Sequence, residues 1–420
     1  MPPEKHDSPT VLISRRGADR VRSGHAWVYR SDVVEAGEVP SGALVTVREV
    51  PAKDSFRKSK SEGVQQAEPS DMNVQAARPP RILGYAFYST ASEIAIRMVS
   101  AKPVENLEQF VRQRIRNAVA YRERFVQNTN AYRVIFSEGD FLPGLIVDRY
   151  NDILSIQVLT QAMDTDSMRN VFLSELQSDL KPVAVVEHVE PRLRRLEQLL
   201  DKQTGLISGI RARTEFQMNG VRFQLDALVG QKTGAFLDQR ENYAAAAQYA
   251  RGEALDVFCY QGGFGLHLAR TCAKVCGVDS SRPALEMAEQ NAALNGREIE
   301  WIEANAFDLL RDYSDSGKKY DCIVLDPPAF AKSRHDLPKA WRGYKELNLR
   351  ALKMLRPGGI LVTCSCSYHV GRRICWKLFS RLPRIRTELF ESWKTAARPR
   401  IIRPCWESRK QHTLSALSWP

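Results

Sequence analysis

From about Gly230 onward, strand-like and helix-like segments alternate without a break, and this alternation constrains the fold more than any other feature of the chain. ALDVFCYQGGFGLHLAR, beginning at Ala254, reads as strand, glycine turn and helix. KVCGVDSSRPALEMAEQNAALNG repeats that order with an acid closing the strand, DCIVLDPPAF is a third strand, and GGILVTCSCSY a fourth. Strands joined through helices form a parallel, doubly wound sheet, and ligands bind beyond the carboxyl ends of its strands. Asp256 stands at the first such end. Asp279 stands at the second, 23 residues later, where an acid accepts from ribose hydroxyls. The Gly-Gly turn at Gly262 and Gly263 lets backbone approach a ligand closely. Its spacing is not the GxGxxG that cradles a pyrophosphate, so a nucleoside without phosphate suits the loop better. Ordinary turn glycines and a surface acid are the plain alternative.

Two smaller units precede this one. VLISRRGADRVRSGHAWVYRSDV, GALVTVREV, ILGYAFYST and IAIRMVS are short Val/Ile/Tyr-rich runs between Gly and Ser turns, and predict a β-rich domain over residues 11–100. A polar stretch, 53–80, interrupts them and reads as an inserted loop; its Arg57, Lys58 and Lys60 suit solvent better than RNA. Residues 101–228 predict an α+β domain: a long amphipathic helix from Leu107 to Thr129, strands with turns at Glu138–Asp140 and Asn151–Asp152, a helix from Asp164 to Leu180, then the strands VAVVEHV and GVRFQLDAL. Residues 229–370 form the doubly wound unit. All eight cysteines lie at or after Cys259, which is no disulfide framework, and Cys272 and Cys276 lack a second pair to complete a zinc set, so no metal is expected. No apolar run reaches the roughly 18 residues of a membrane span, and the polar start MPPEKHDSPT lacks a signal-peptide core. A cytoplasmic protein is expected. The net charge is +12, yet 12 Lys/Arg against 3 Glu fall between Gly371 and Lys410, so the total says little about nucleic acid.

Residues 256–367 resemble a class I S-adenosylmethionine-dependent methyltransferase. The closer likeness is to the bacterial 23S rRNA 5-methylcytosine methyltransferase family of the large-subunit type, which carries an N-terminal PUA domain. Gly24-His-Ala-Trp-Val-Tyr29 resembles that family's PUA opening, and Gly144-Leu-Ile-Val-Asp-Arg-Tyr150 its central hairpin. Lys232-Thr-Gly-Ala-Phe-Leu-Asp-Gln-Arg240 resembles the segment leading into the cofactor site. Asp326-Pro-Pro-Ala-Phe-Ala-Lys332 and Thr363-Cys-Ser-Cys-Ser367 resemble its catalytic motifs. The resemblance implies S-adenosyl-L-methionine as cofactor, 23S rRNA or a large-subunit assembly intermediate as partner, and a homodimer. It implies cofactor contacts from Asp256, Phe258, Gly262, Asp279, Ser280, Asn305, Ala306 and Asp326, with Asp279 on the ribose. Asn305 falls near the adenine, where relatives often carry Asp; its carbonyl oxygen can accept from the adenine amine. Lys232, Thr233, Phe236, Asp238 and Arg240 would close the entrance, unless Arg240 is structural and pairs with Asp238 or Glu241.

The residues also support this chemistry on their own terms. C5 of cytosine is a poor nucleophile, and adding a thiolate at C6 generates the electron density that C5 needs. That route requires an accessible cysteine beside the methyl donor and a group at the N3 and amine edge of the base. Cys364 and Cys366 end the strand that begins at Gly359, and alternation points both to one side. Cys366 matches the nucleophile of related RNA cytosine methyltransferases and is favoured over Cys364. Asp326 can hold the cytosine amine or a protonated N3. An Asp-Pro-Pro-aromatic motif also serves N-methylation of adenine or guanine, the rival reaction, but Ala329 ahead of Phe330 breaks it. Lys332 contacts phosphate or holds its loop. The target base must be unstacked to reach such a pocket. His25 and Trp27 are candidates for RNA contact, with a turn and a core role as alternatives; His188 and Asp148 are structural candidates.

After residue 370 the likeness fails. Residues 371–420 hold four of the seven tryptophans and show no helical or strand period, where relatives end in an acidic-apolar helix and a Leu/Ile-rich strand. A reading-frame shift near residue 371 is the expected cause, and a basic RNA-binding tail the alternative. The expected protein is an α/β enzyme with a PUA-like β domain, a central α+β domain and a methyltransferase sheet. The non-enzymatic alternative is an rRNA-binding assembly factor.

Overall fold

The computed structural model describes residues 8–50, 81–229, 234–331 and 335–365. The inserted loop at 53–80, Lys232, Thr233, Lys332, Cys366 and the segment 371–420 lie outside them. Contacts group the chain into two compact units. Unit 1 holds residues 1–125, 133–148 and 154–210, and unit 2 holds 126–132, 149–153 and 211–420.

Unit 1 opens with β1 (Thr10–Ile13), α1 (Arg15–Arg22), β2 (Trp27–Val28), β3 (Val33–Glu35), β4 (Leu44–Glu49), β5 (Ile82–Tyr88) and β6 (Ile96–Ser100). The strands form one sheet in the order β2-β6-β5-β4-β1-β3, in which β1 runs parallel to β4 and antiparallel to β3. Alternate residues Val11 and Ile13 of β1, with Val45 and Val47 of β4, are fully buried against Ala18 of α1, Ala86 and Ile96. Each such buried aliphatic side chain contributes about 1.5–3 kcal/mol. Ser14 caps α1 through its side chain, and its hydroxyl also donates to the buried carboxylate of Asp32 at 3.0 Å.

Next come α2 (Leu107–Phe125), β7 (Ala131–Phe136), β8 (Leu145–Tyr150), β9 (Ile153–Val158), α3 (Asp166–Leu180), β10 (Ala184–Glu187), α4 (Pro191–Leu196) and β11 (Gly205–Ser208). Their strands are ordered β11-β10-β9-β8-β7. The expected helix to Thr129 stops at Phe125, because Asn128 takes a left-handed φ of 56° and Thr129 bridges to Met218. Within unit 1 a buried ion pair joins β6 to the residue after α4: Arg97 meets Glu197 at 2.7 Å, and Ser89 donates to the same carboxylate at 2.8 Å.

In unit 2, β12 (Arg213–Met218) and β13 (Val221–Asp226) form a hairpin turning at Asn219-Gly220, where both residues have positive φ. That is the Asn-Gly turn matching the twist of paired strands. Sequence reading recognised only its second strand. Then follow α5 (Arg240–Tyr249), β14 (Glu253–Val257), α6 (Gly263–Leu268), β15 (Lys274–Asp279), α7 (Arg282–Leu294), β16 (Glu300–Glu303), α8 (Ala306–Asp315), β17 (Tyr320–Leu325), α9 (Leu337–Met354) and β18 (Leu355–Thr363). The hairpin packs on α7, where Asn291 and Asn295 accept from the backbone amides of Gln224 and Arg222 at 2.8 and 2.9 Å. The sheet order is β16-β15-β14-β17-β18 with every pairing parallel, as the alternation predicts. Leu255, Val257, Val278, Ile323 and Leu325 fill its centre against Leu310, Leu347 and Met354 from α8 and α9. The chain runs outward from β14 to β16 and then returns to β17. The strand order therefore reverses between β14 and β17, the place where such sheets open a crevice for a ligand.

Candidate active site

The carboxyl ends of β14, β15 and β17 bring Asp256, Asp279 and Asp326 to one edge of the unit 2 sheet. Asp256 is fully buried; its Oδ2 accepts from the Gly265 amide at 2.7 Å, and its Oδ1 has no hydrogen-bond partner among the described residues. Burial, with the neighbouring charges of Asp326 and Asp279, raises its pKa to about 8 despite the Gly265 bond. Asp279 accepts from the amides of Tyr260 and Ser281, each at 2.9 Å. An ionised carboxylate has about four acceptor positions, so two remain for hydroxyls of a ligand.

The loop between β14 and α6 is held under strain. Phe258 and Tyr260 have φ of 67° and 50°, a left-handed conformation that costs an aromatic residue about 1–3 kcal/mol. The amides of Phe258 and Cys259 both donate to the Val278 carbonyl, at 2.9 and 3.0 Å, and hold the loop against β15. Gly262 follows with φ 83°, and a Cβ there would stand 2.8 Å from the Trp301 ring. Gly277 faces the same ring, which a Cβ would meet at 2.3 Å. The glycines therefore make room for Trp301 under the loop, a role that sequence reading missed because Trp301 lies 39 residues beyond Gly262.

Of the other residues implied by family likeness, Phe258 packs on the sheet core, Ser280 is exposed beside Asp279, and Ala306 opens α8. Asn305 is the N-cap of α8: its Oδ1 accepts from the amides of Phe307 and Asp308 at 2.9 and 3.4 Å. Both lone pairs of that oxygen are thereby engaged, so an outward bond from Asn305 comes from its Nδ2 as donor. Phe236 meets Tyr260 edge-on at 5.2 Å, and Asp238 is exposed. Arg240 pairs with Glu241 at 2.6 Å.

Asp326 is held from two sides. Its amide donates to the Val257 carbonyl at 3.2 Å, and its Oδ2 accepts from Nε2 of Gln239 at 2.9 Å. Gln239 is buried and in turn accepts from Asn242 at 2.7 Å. Sequence reading passed over Gln239, since nothing in the string Asp238-Gln239-Arg240 tells which of three polar residues turns inward. Phe330 packs between Phe307 and Tyr344, at 5.9 and 4.8 Å.

Cys364 follows the end of β18. Its amide donates to the Leu325 carbonyl at 2.8 Å, which sets the chain leaving β18 beside Asp326. Its side chain is buried. Elsewhere, burial pushes the thiols of Cys276 and Cys322 up to about 12 and raises those of Cys259 and Cys272. Such thiols stay protonated near neutral pH and are poor nucleophiles. Among the described residues no group of three or more His, Cys, Asp or Glu side chains could hold a metal ion.

Away from this edge, Asp148 is buried against Arg133 at 2.8 Å, as expected of a structural acid. His25 is exposed, and Trp27 in β2 is half-buried with an indole N–H that meets no acceptor among the described residues. No described helix is long and apolar enough to cross a membrane.

A cationic nucleoside fits the donor set at the sheet edge. Three carboxylates converge, one with an orphaned buried oxygen, and a glycine gives backbone access. Residues 200–381 match the S-adenosylmethionine-dependent methyltransferase family, and residues 11–50 match the PUA-like domain. The fold and site are thus those of a class I methyltransferase that uses S-adenosylmethionine and carries an N-terminal PUA-like domain. A relative from Shewanella denitrificans, ribosomal RNA large subunit methyltransferase I, is 38% identical over 301 residues, covering 69% of this chain and 75% of its own. The protein of the same name from Tolumonas auensis is 39% identical over 67% of this chain and 72% of its own. The chain belongs to the ribosomal RNA large subunit methyltransferase I family. A SAM-dependent methyltransferase structure from Streptococcus mutans superposes with a TM-score of 0.68 over 88% of this chain and 89% of that one, at 16% identity, and shows the shared fold. The SMU.776 methyltransferase, solved with S-adenosylhomocysteine, gives 0.69 with the same coverage and identity.

Proposed function

We propose that this chain methylates C5 of a cytosine in 23S rRNA through a cysteine adduct. The observation that supports the reading is the backbone bond from Cys364 to Leu325, which sets Cys364, at the end of β18, beside Asp326. Burial raises the thiol pKa values of Cys259, Cys272, Cys276 and Cys322, which speaks against those four as nucleophiles and supports the motif pair Cys364 and Cys366.

Asp279 would accept from the ribose hydroxyls, and Asp256 would face the cationic part of the cofactor. Phe258, Gly262, Ser280, Asn305 and Ala306 would line its course, with Lys232, Thr233, Phe236, Asp238 and Arg240 at the entrance. Bound S-adenosylmethionine would supply an electrophilic methyl group, its sulfonium S–CH3 bond breaking to leave S-adenosylhomocysteine. Cys366 adds its thiolate to C6 of the flipped base, forming the S–C6 bond and raising electron density at C5. Asp326 holds the exocyclic amine or protonated N3. Once C5 is methylated, its proton passes to solvent and the S–C6 bond breaks, restoring the aromatic ring and the free thiol.

Residues 11–100 would bind RNA, 101–228 link, and 229–370 catalyse, in a cytoplasmic homodimer acting on rRNA or a large-subunit assembly intermediate. The segment 371–420 is read as atypical, with a frame shift near residue 371 as its origin, although the family match runs on to residue 381. Protein mass and resequencing across codons 365–420 check that origin.

The central test incubates wild type, C366A and C364A with labelled methyl donor and undermodified rRNA, and identifies the product by mass spectrometry. Expected is 5-methylcytidine, lost with C366A. Loss with C364A alone would move the nucleophile two residues back, to Cys364, and a methylated purine would sink the C5 mechanism. Tight cofactor binding without turnover on RNA or ribosomal particles would favour an assembly factor.

A further inference from the structure

The backbone around Asp326 is fixed. Its amide bonds to β14, and Pro327 and Pro328 stiffen the chain that follows. Rotation of the side chain is the freedom that remains, and Gln239 restrains it. Gln239 ends a single 3-10 turn, Leu237–Gln239, and is 8% exposed. Its Nε2 donates to Asp326 Oδ2 at 2.9 Å, while its Oε1 accepts from Asn242 Nδ2 at 2.7 Å in the first turn of α5. An amide donates at one end and accepts at the other. Asn242 donating to the oxygen therefore obliges the nitrogen to face Asp326.

We propose that Gln239 is a positioning residue for methyl transfer: it fixes the orientation of the Asp326 carboxylate, and Asn242 sets the polarity of the Gln239 amide. This rests on the proposed role of Asp326 at the base. A hydrogen bond to a carboxylate from a buried amide restrains the carboxylate more strongly than one between neutral groups. Small misplacements of a group that must meet the reacting base lower the rate far more than they lower binding.

The test uses the full chain as wild type, Q239A, N242D and the double variant. Labelled methyl transfer to undermodified rRNA is read as kcat and KM, the methylated nucleoside is identified separately, and binding of S-adenosylhomocysteine and thermal unfolding report the fold. Q239A is expected to lose about 10- to 100-fold in kcat, with KM for RNA changed by less than about threefold and S-adenosylhomocysteine still bound. N242D accepts where Asn242 donates, turning the Gln239 oxygen toward Asp326, and is expected to lose a similar factor. The double variant should be no worse than Q239A alone, because both act through one bond. A purely structural role would instead lower the unfolding temperature and move kcat, KM and cofactor binding together, with additive losses. That pattern, or an unchanged kcat in Q239A, overturns the proposal.

The two readings separate cleanly. A wild type that methylates a purine nitrogen ends the C5 reading, and the Gln239 effect is then read in that product's kcat. If wild type transfers no methyl group, crystal structures of wild type and Q239A decide. An Asp326 carboxylate turned or disordered in Q239A supports positioning, and one left in place overturns it.

Discussion

Asp32 in unit 1 and Asp256 in unit 2 are both removed from solvent, but their surroundings are opposite. Asp32 is 1% exposed and meets Arg16 and Arg20 at 2.7 Å each, with the Ser14 hydroxyl at 3.0 Å. Burial pushes its pKa up, but the bonds from Arg16 and Ser14 and the two positive charges outweigh it, and the net shift is down. Asp164 repeats the pattern with Arg169, Arg194 and Lys202, and its pKa is also lowered in spite of burial. Asp256 has no cation against it among the described residues, only the Gly265 amide, and burial carries it to about 8. A fold normally pairs the acids it buries. Asp256 keeps an orphaned oxygen beside two other acids, and under the proposed function that oxygen faces the cationic cofactor.

The largest effect should come from breaking a matched site. Asp164→Ala leaves Arg194, itself 1% exposed, facing a lost partner, and should destabilise unit 1 by about 3–5 kcal/mol in urea unfolding. A loss below about 1 kcal/mol would show that Asp164 is not matched to its cations in the way the ion pairs imply.

Asp256→Asn should act with the opposite sign. Asp256 binds its proton in the folded state up to about pH 8 but releases it near 3.8 when unfolded. The folded protein therefore holds the extra proton between those values, and the contribution of Asp256 to stability falls as pH rises from about 4 to about 8. Unliganded D256N should lose that slope and unfold at a higher temperature than wild type at pH 8, while binding S-adenosylmethionine at least about tenfold more weakly for want of a charge-assisted contact. Calorimetric scans across pH, with titration of the cofactor, check both signs. Equal pH slopes in the two proteins would show that Asp256 is matched after all.

The smallest effect belongs to a solvated pair. Arg213 meets Asp226 across the hairpin at 2.8 Å but is 83% exposed, so Arg213→Ala should shift stability by less than about 1 kcal/mol and leave methyl transfer unchanged.

Much of this arrangement is legible in the chain. Alternating strand and helix segments required a parallel sheet, and the acids closing three of its strands then had to gather at one edge. The Gly262 turn announces itself locally, since a left-handed φ selects few residue types, whereas Asn305 was expected to turn its carbonyl oxygen to the adenine and instead spends it capping α8. The illegible parts depend on partners far along the chain. Trp301 fills the space left by Gly262 and Gly277, Gln239 reaches Asp326 across 87 positions, and Arg97 meets Glu197 across 100. The ending of the α2 helix was misjudged for the same reason, as Thr129 is claimed by Met218.

By itself, the sequence determined the kind and order of the elements in the methyltransferase sheet, and with them the edge at which its acids stand. Periodicity and turn chemistry act over a few residues and can be read there. Only the tertiary structure decided which acids keep their charge, which way Asn305 and Gln239 present their amides, and that Cys364 emerges beside Asp326. Those outcomes rest on desolvation and on hydrogen bonds between strands and turns remote in the chain, and neither exists until the chain has packed.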